Sequence, residues 1–305
     1  MSTLSALRNG NTAIGSALSY RPVAVFVGGT AGIGAGMARA FALHRNGDAH
    51  IVIIGRSRQA AEELIASFPK PAEGSSQYEF VECDVTLMRN VRQTTTELVS
   101  RLPKVNYLVL SPGIMTTKGR DETDEGIDKK LALHYYARWR FTYDLVPLLQ
   151  KAVDANEDAK VMTVLSSIEQ TDHAIDLNDL GLKKYSLGGA AKYASACNNA
   201  MIESFAEKYP KMAFTHIFPG IVRTRLLNGT DDWKLRMLSP LAHLAGYFAG
   251  VSTETCAEYM WHGLYAGKAG WFRRDNYGVD LKAKPVSAEI RSKVWDHSLE
   301  VTEGN

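Results

Sequence analysis

The 305-residue chain is short of cysteine, of net charge and of long apolar runs. Its three cysteines, Cys83, Cys197 and Cys256, stand far apart, which excludes both the closely spaced thiols of a zinc cluster and a disulfide framework. No metal is expected, and a reducing, cytoplasmic setting is. A net charge of +2 carries none of the polyelectrolyte signal of a nucleic-acid binder, so nucleic acid is not an expected partner. The longest apolar stretch, 238–251, is interrupted by Pro240 and His243 and falls short of the ~20 residues a bilayer demands. Residues 1–20 lack the continuous apolar centre of a secretion signal. There is no internal repeat, no low-complexity run and no shift in composition that would mark a second domain.

What is present is alternation. Short Val- and Ile-rich runs at 23–27, 51–54, 78–83, 106–110, 160–165 and 213–217 read as strands, with helical patterns between most of them. Strand and helix in turn imply a parallel sheet covered on both faces, hence an α/β, doubly wound, Rossmann-type fold. With 45% apolar residues the chain can bury one sizeable core. The expected layout is a single domain over 21–285, with an N-terminal extension at 1–20, a lid at about 225–251 and a C-terminal tail at 286–305. Pro, Gly and Ser make 68–76 a surface loop, and Ser252 is placed to cap a late helix beginning near Thr253.

Residues 23–42 read VAVFVGGTAGIGAGMARAFA, a strand that breaks into Gly28, Gly32 and Gly34 before helical spacing resumes. Glycines let a backbone approach a pyrophosphate closely, and the helix that follows aims its unpaired N–H groups at the phosphates. An ordinary glycine turn has the same composition. The next strand ends at Arg56, Ser57 and Arg58, where a site for NAD(H) would carry a carboxylate for the ribose 2′-hydroxyl. Two guanidiniums suit a 2′-phosphate instead, so NADP(H) is favoured, the plain alternative being an exposed basic turn.

These segments are joined by others in a fixed order, and together they resemble the short-chain dehydrogenase/reductase family from about residue 20 to about 280. Val27-Gly28-Gly29-Thr30-Ala31-Gly32-Ile33-Gly34 resembles the family's glycine loop. Cys83-Asp84-Val85 is similar to its adenine-contacting Asp-Val pair, and Ser111-Pro112-Gly113 stands where Asn-Ala-Gly follows the fourth strand. Val164-Leu165-Ser166-Ser167 resembles the strand end that bears the catalytic serine, in the usual register Ser167. Pro219-Gly220-Ile221-Val222-Arg223-Thr224 matches the segment whose threonine holds the nicotinamide carboxamide. Taken singly, each is compatible with an ordinary turn or polar strand exit.

The family's working pair is missing. A Tyr with a Lys four residues later puts phenol and ammonium on one helix face and lowers the phenol's proton affinity. Here Tyr185 is followed at that spacing by Gly189 and Tyr193 by Cys197. Counting forward from Ser167 makes Tyr185 the candidate acid, with Lys192 two turns on as substitute cation and Lys183 and Lys184 ahead of the helix. Counting back from Pro219-Gly220, the tyrosine slot falls at Gly189 to Ala191, which hold no phenol. His134 occupies the place of the family's helix-kinking Asn, and as a group titrating near neutrality it is a candidate for the proton relay, or simply a packed histidine.

The link IEQTDHAIDLNDLGLKK after Ser167, together with 226–251, is expected to form an apolar lid over a bulky substrate, though an oligomer contact or a membrane-skimming surface would use the same composition. The Asp-Leu-Gly-Leu insertion and the Lys-less Tyr-Ser segment resemble fungal members of the family and point to secondary metabolism. The resemblance implies an NADP(H)-dependent carbonyl reductase of a hydrophobic small molecule. The alternative is a non-redox cyclase, isomerase or dinucleotide-responsive binding protein. A homodimer or homotetramer is implied by the family, with Gly188 to Ala196 available for close helix contact.

Overall fold

Apolar runs with β-branched residues, too short for helices and bounded by turns, satisfy their backbone polar groups by pairing side by side. In the computed structural model, which describes residues 3–70, 77–167, 172–224 and 250–304, they become β1 (Val23–Val27), β2 (His50–Gly55), β3 (Gln77–Glu82), β4 (Tyr107–Leu110), β5 (Lys160–Val164), β6 (Ala213–Ile217) and β7 (Gly270–Arg274). All seven lie in one sheet, in the order β3-β2-β1-β4-β5-β6-β7, and every pair is parallel. This is the doubly wound α/β sheet that the alternation implied.

Side-chain alternation divides the core in two. Val23, Val25 and Val27 of β1 and Val52 and Ile54 of β2 face one layer, while Ala24, Phe26, Ile51 and Ile53 face the other. The first layer is covered by α4 (Met88–Arg101), α6 (Ala137–Asp154), α7 (Leu187–Lys208) and α9 (Ala288–Glu303); α2 (Gly32–His44), α3 (Arg58–Ala66) and α8 (Thr253–Ala266) cover the second. A short helix α5 (Lys129–Leu131) leads through a π-turn, Ala132–Tyr136, into α6.

Three segments depart from expectation. The N-terminal extension is a helix, α1 (Leu4–Ser16), held to the second layer by polar contacts: Asn11 Nδ2 donates to the Glu258 carbonyl (2.9 Å) and to Glu258 Oε2 (2.8 Å). The expected tail carries α9; it buries Val286 ahead of the helix and Ile290 and Val294 on it, and seats Trp295 among Trp139, Tyr143 and Phe205. Strand β7 (GWFRR) escapes an apolar pattern because its arginines are neutralised inside: Arg273 pairs with Glu203 at 2.5 Å and Arg274 with Asp280 at 2.9 Å. Of the lid, 225–249 lie outside the described residues, as do 71–76 of the predicted loop and 168–171 of the link.

Candidate active site

The strand order reverses between β1 and β4, and a crevice at such a switch point, beyond the carboxyl ends of the strands, is where α/β sheets bind ligands. Gly28 turns the chain there with φ +78°, and a Cβ on it would lie 2.8 Å from the Pro112 nitrogen. Gly32 is also left-handed, at φ +57°. A Cβ on Gly34 would lie 2.5 Å from the Gly28 carbonyl oxygen, so helix α2 starts hard against the loop. Ser111 Oγ fastens β4 to that loop, donating to the carbonyls of Val27 (3.2 Å) and Gly28 (3.4 Å). From the far side Thr224 comes within 3.6 Å of where a Gly32 Cβ would stand, and Val222 is held by pairing with Val251. Pro219 and Gly220 (φ +72°) make the turn out of β6.

The start of α2 is chemically distinctive. Helices α1, α3, α7, α8 and α9 begin on Thr3, Ser57, Ser186, Ser252 and Ser287, each of which accepts a backbone N–H of the first turn. The Met88 and Arg89 amides of α4 donate to Glu125. Helix α2 begins on Ala31, which has no side-chain oxygen to offer. Its N–H groups, with Ile33 and Gly34 in the first turn, are left for an anion.

One strand over, Arg56, Ser57 and Arg58 are all exposed. Ser57 caps α3, and the Arg58 guanidinium lies 5.1 Å from the Phe80 ring centroid. Thr30 rests on Gly55, where a Cβ would approach its methyl to 2.7 Å. Asp84 Oδ1 accepts from both Thr86 N (3.1 Å) and Thr86 Oγ1 (2.8 Å), fixing the turn after β3, and Val85 is buried beneath it.

The catalytic candidates make no hydrogen bond or ion pair with one another among the described residues. Ser167 is 1% exposed, and its hydroxyl donates to the Arg274 carbonyl at 2.5 Å. Tyr185 lies ahead of α7, before the cap Ser186, so it shares no helical face with Lys192, which is exposed on the helix itself. The Tyr185 hydroxyl is buried without a hydrogen-bond partner among the described residues, and the Lys130 ammonium stands 4.9 Å from its ring centroid. Burial, and after it the Asp128 charge, push its pKa up to about 12, opposite in direction to that of an activated tyrosine. Counted back from Pro219-Gly220, the cation slot four residues beyond the tyrosine position falls at Tyr193 to Ser195. Tyr193 donates to the Leu180 carbonyl and Ser195 to the Ser166 carbonyl.

His134 sits in the π-turn, where the family places its kinking residue, and Nε2 accepts from Ile114 N at 3.2 Å. It does not titrate near neutrality: burial, then the charges of Arg138 and Lys130, push its pKa down to about 3. Its carbonyl accepts from Asn198 Nδ2 at 2.8 Å. Gly113 lies against the ring, since a Cβ there would come within 3.2 Å of Nε2.

A residue not anticipated from sequence links these parts. The Arg138 side chain is buried, donating to the carbonyls of Pro112 (2.6 Å), Val164 (2.9 Å) and Leu133 (3.1 Å) and to Thr163 Oγ1 (2.7 Å). Thr163 in turn donates to Asn198 Oδ1 at 2.8 Å. Its only sequence signal is a basic residue within the apolar pattern LALHYYARWRFT. Among the described residues there is no cluster of side chains set to hold a metal, and no helix long and apolar enough to cross a membrane.

A parallel sheet with a glycine crossover at its switch point and an open helix start defines a Rossmann-type protein. The family model for short chain dehydrogenase matches residues 22–235, and the chain belongs to that family. It is 33% identical over 204 residues to Oxidoreductase AN1596 of Emericella nidulans, a match spanning 67% of this chain and 59% of that relative. To Oxidoreductase andH of Emericella variicolor it is 31% identical, over 85% of this chain and 74% of the relative. Among solved structures, an NADPH-bound carbonyl reductase from chicken fatty liver superposes with a TM-score of 0.61 at 19% identity, covering 88% of this chain and all of that one.

Proposed function

We propose that the protein is an NADP(H)-dependent oxidoreductase acting on a carbonyl or alcohol of a hydrophobic small molecule in fungal secondary metabolism. The observation that carries this reading is the bare start of α2 at the switch point, with Arg56 and Arg58 one strand away. The residues fit a phosphorylated dinucleotide: close backbone approach at Gly28 and Gly34, unpaired amides at Ile33 and Gly34, and planar cations for a 2′-phosphate. Two fungal relatives carry the name oxidoreductase, and the chicken carbonyl reductase is described as NADPH bound.

Bound there, the dinucleotide supplies or accepts a hydride. Pro219 to Thr224 would hold the nicotinamide half and Asp84 the adenine. Polarising the carbonyl would fall to Ser167, whose hydroxyl would first have to release the Arg274 carbonyl, and Tyr185 or a water would return the proton to oxygen. With its pKa raised, Tyr185 acts as a stored proton donor and not as a phenolate. Lys192, exposed on α7, is the cation proposed in place of the family's lysine. The non-redox alternative draws no support from the site or from the relatives.

Calorimetric titration tests the assignment. Replacing Arg56 and Arg58 together by Ala is expected to weaken NADPH binding about tenfold or more while changing NADH binding less than about twofold. Equal losses for both dinucleotides would overturn the 2′-phosphate assignment.

A further inference from the structure

Arg138 is a guanidinium without a counter-ion. All four of its hydrogen bonds go to neutral oxygens, three of them backbone carbonyls, and no carboxylate among the described residues pairs with it. Burying an uncompensated charge is costly, so the fold must hold it tightly and from several sides. Those sides are informative. Pro112 lies just beyond β4, Val164 ends β5 and Leu133 belongs to the π-turn, so one planar fork ties together the elements that bound the crevice next to the switch point. Through Thr163 and Asn198 the same network reaches α7 and the His134 carbonyl. The histidines nearest in charge, His134 and His216, are both held neutral, with burial the main cause and Arg138 the second, so neither adds to nor offsets the charge.

We infer that Arg138 is the fixed cation and the positioning residue of this site, and that its charge makes the protein hold the reduced dinucleotide in preference to the oxidised one. This rests on the dinucleotide reading above. If the pyrophosphate lies on the glycine loop after β1 and the adenosine end beside β2, the nicotinamide half lies across the ends of β4 and β5, where Arg138 is anchored. The oxidised nicotinamide ring is cationic and the reduced ring neutral. In a poorly screened interior, a fixed like charge beside the ring disfavours only the former. The position also accounts for the missing lysine: the positive charge that the family supplies from α7 comes here from α6, from beneath the strand ends.

The test is calorimetric titration of the full chain with NADP+ and with NADPH, for the wild type, Arg138→Lys and Arg138→Met, alongside thermal unfolding. The wild type is expected to bind NADPH about tenfold more tightly than NADP+. Arg138→Met should reduce that ratio at least threefold. Arg138→Lys, which keeps the charge but loses the fork, should unfold at lower temperature yet retain the ratio. Equal wild-type affinities, an unchanged ratio in Arg138→Met, or equal loss of the ratio in the Lys and Met variants would each overturn the inference and leave the dinucleotide reading standing. A wild type that binds neither dinucleotide would overturn both. Should Arg138→Met fail to fold, the wild-type ratio and the Lys variant decide the matter.

Discussion

His134 shows how far neighbours can recast one side chain. As a residue type it titrates near neutrality; in place it is neutral, with Nε2 committed to accepting the Ile114 amide. Its folded pKa of about 3 lies below the ordinary histidine value. The unfolded chain therefore takes up a proton as pH falls through about 6.5, while the folded chain does not, so the contribution to stability is whole above that pH and drains away on acidification. We expect His134→Asn to show a shallower loss of unfolding free energy between pH 7 and pH 4.5, measured by urea denaturation at several pH values. His216, depressed in the same direction, leaves a residual slope. Arg138 is the opposite lesson: one of two arginines in an apolar pattern, it is shown to be buried only by the carbonyls gathered around it from Pro112, Leu133 and Val164. Ser167 was legible as a strand-end serine, but its bond to Arg274 was not, because that strand was not foreseen.

Among the elements, helix starts separate structure from function. Ser252 was readable as a cap because a hydroxyl stands immediately before a helical pattern, and its Oγ accepts from Thr255 N at 3.2 Å. Ser252→Ala should cost about 1 kcal/mol, read as a lower urea midpoint with an unchanged slope. Since α8 packs so closely on α2 that a Cβ at Gly36 would stand 2.9 Å from the Thr253 carbonyl, the same variant should also loosen the start of the dinucleotide helix. Helix α2 was readable from the helical spacing that resumes after Gly28, Gly32 and Gly34, but its bare start was not. The register of α7 was not readable. Tyr185 and Lys192 are seven residues apart and pass for one helical face until Ser186 is seen to end the extended chain and begin the helix between them.

For the molecule as a whole, the last helix matters most. Val286 N donates to Glu203 Oε2 at 2.8 Å, completing the Glu203–Arg273 pair, and Trp295 fills the ring cluster of Trp139, Tyr143 and Phe205. A chain ending at residue 285 is expected to lose cooperative thermal unfolding and to bind a hydrophobic dye such as ANS, because a buried carboxylate loses an amide and an aromatic cluster is opened to water. Retention of a sharp wild-type transition would show α9 to be dispensable. Such long-range pairing is what a linear reading misses, as at β7, whose arginines are paired with Glu203 and Asp280. The sequence by itself determined six of the sheet's seven strands, the crossover glycines and the guanidiniums after β2, since strand periodicity, left-handed turns and charge type are properties of neighbouring residues. Which groups meet at the strand ends was decided only by tertiary structure. There Arg138 is buried, His134 is neutral and the Ser167 hydroxyl is spent on the Arg274 carbonyl, because burial and pairing depend on partners that the chain brings together from far along its length.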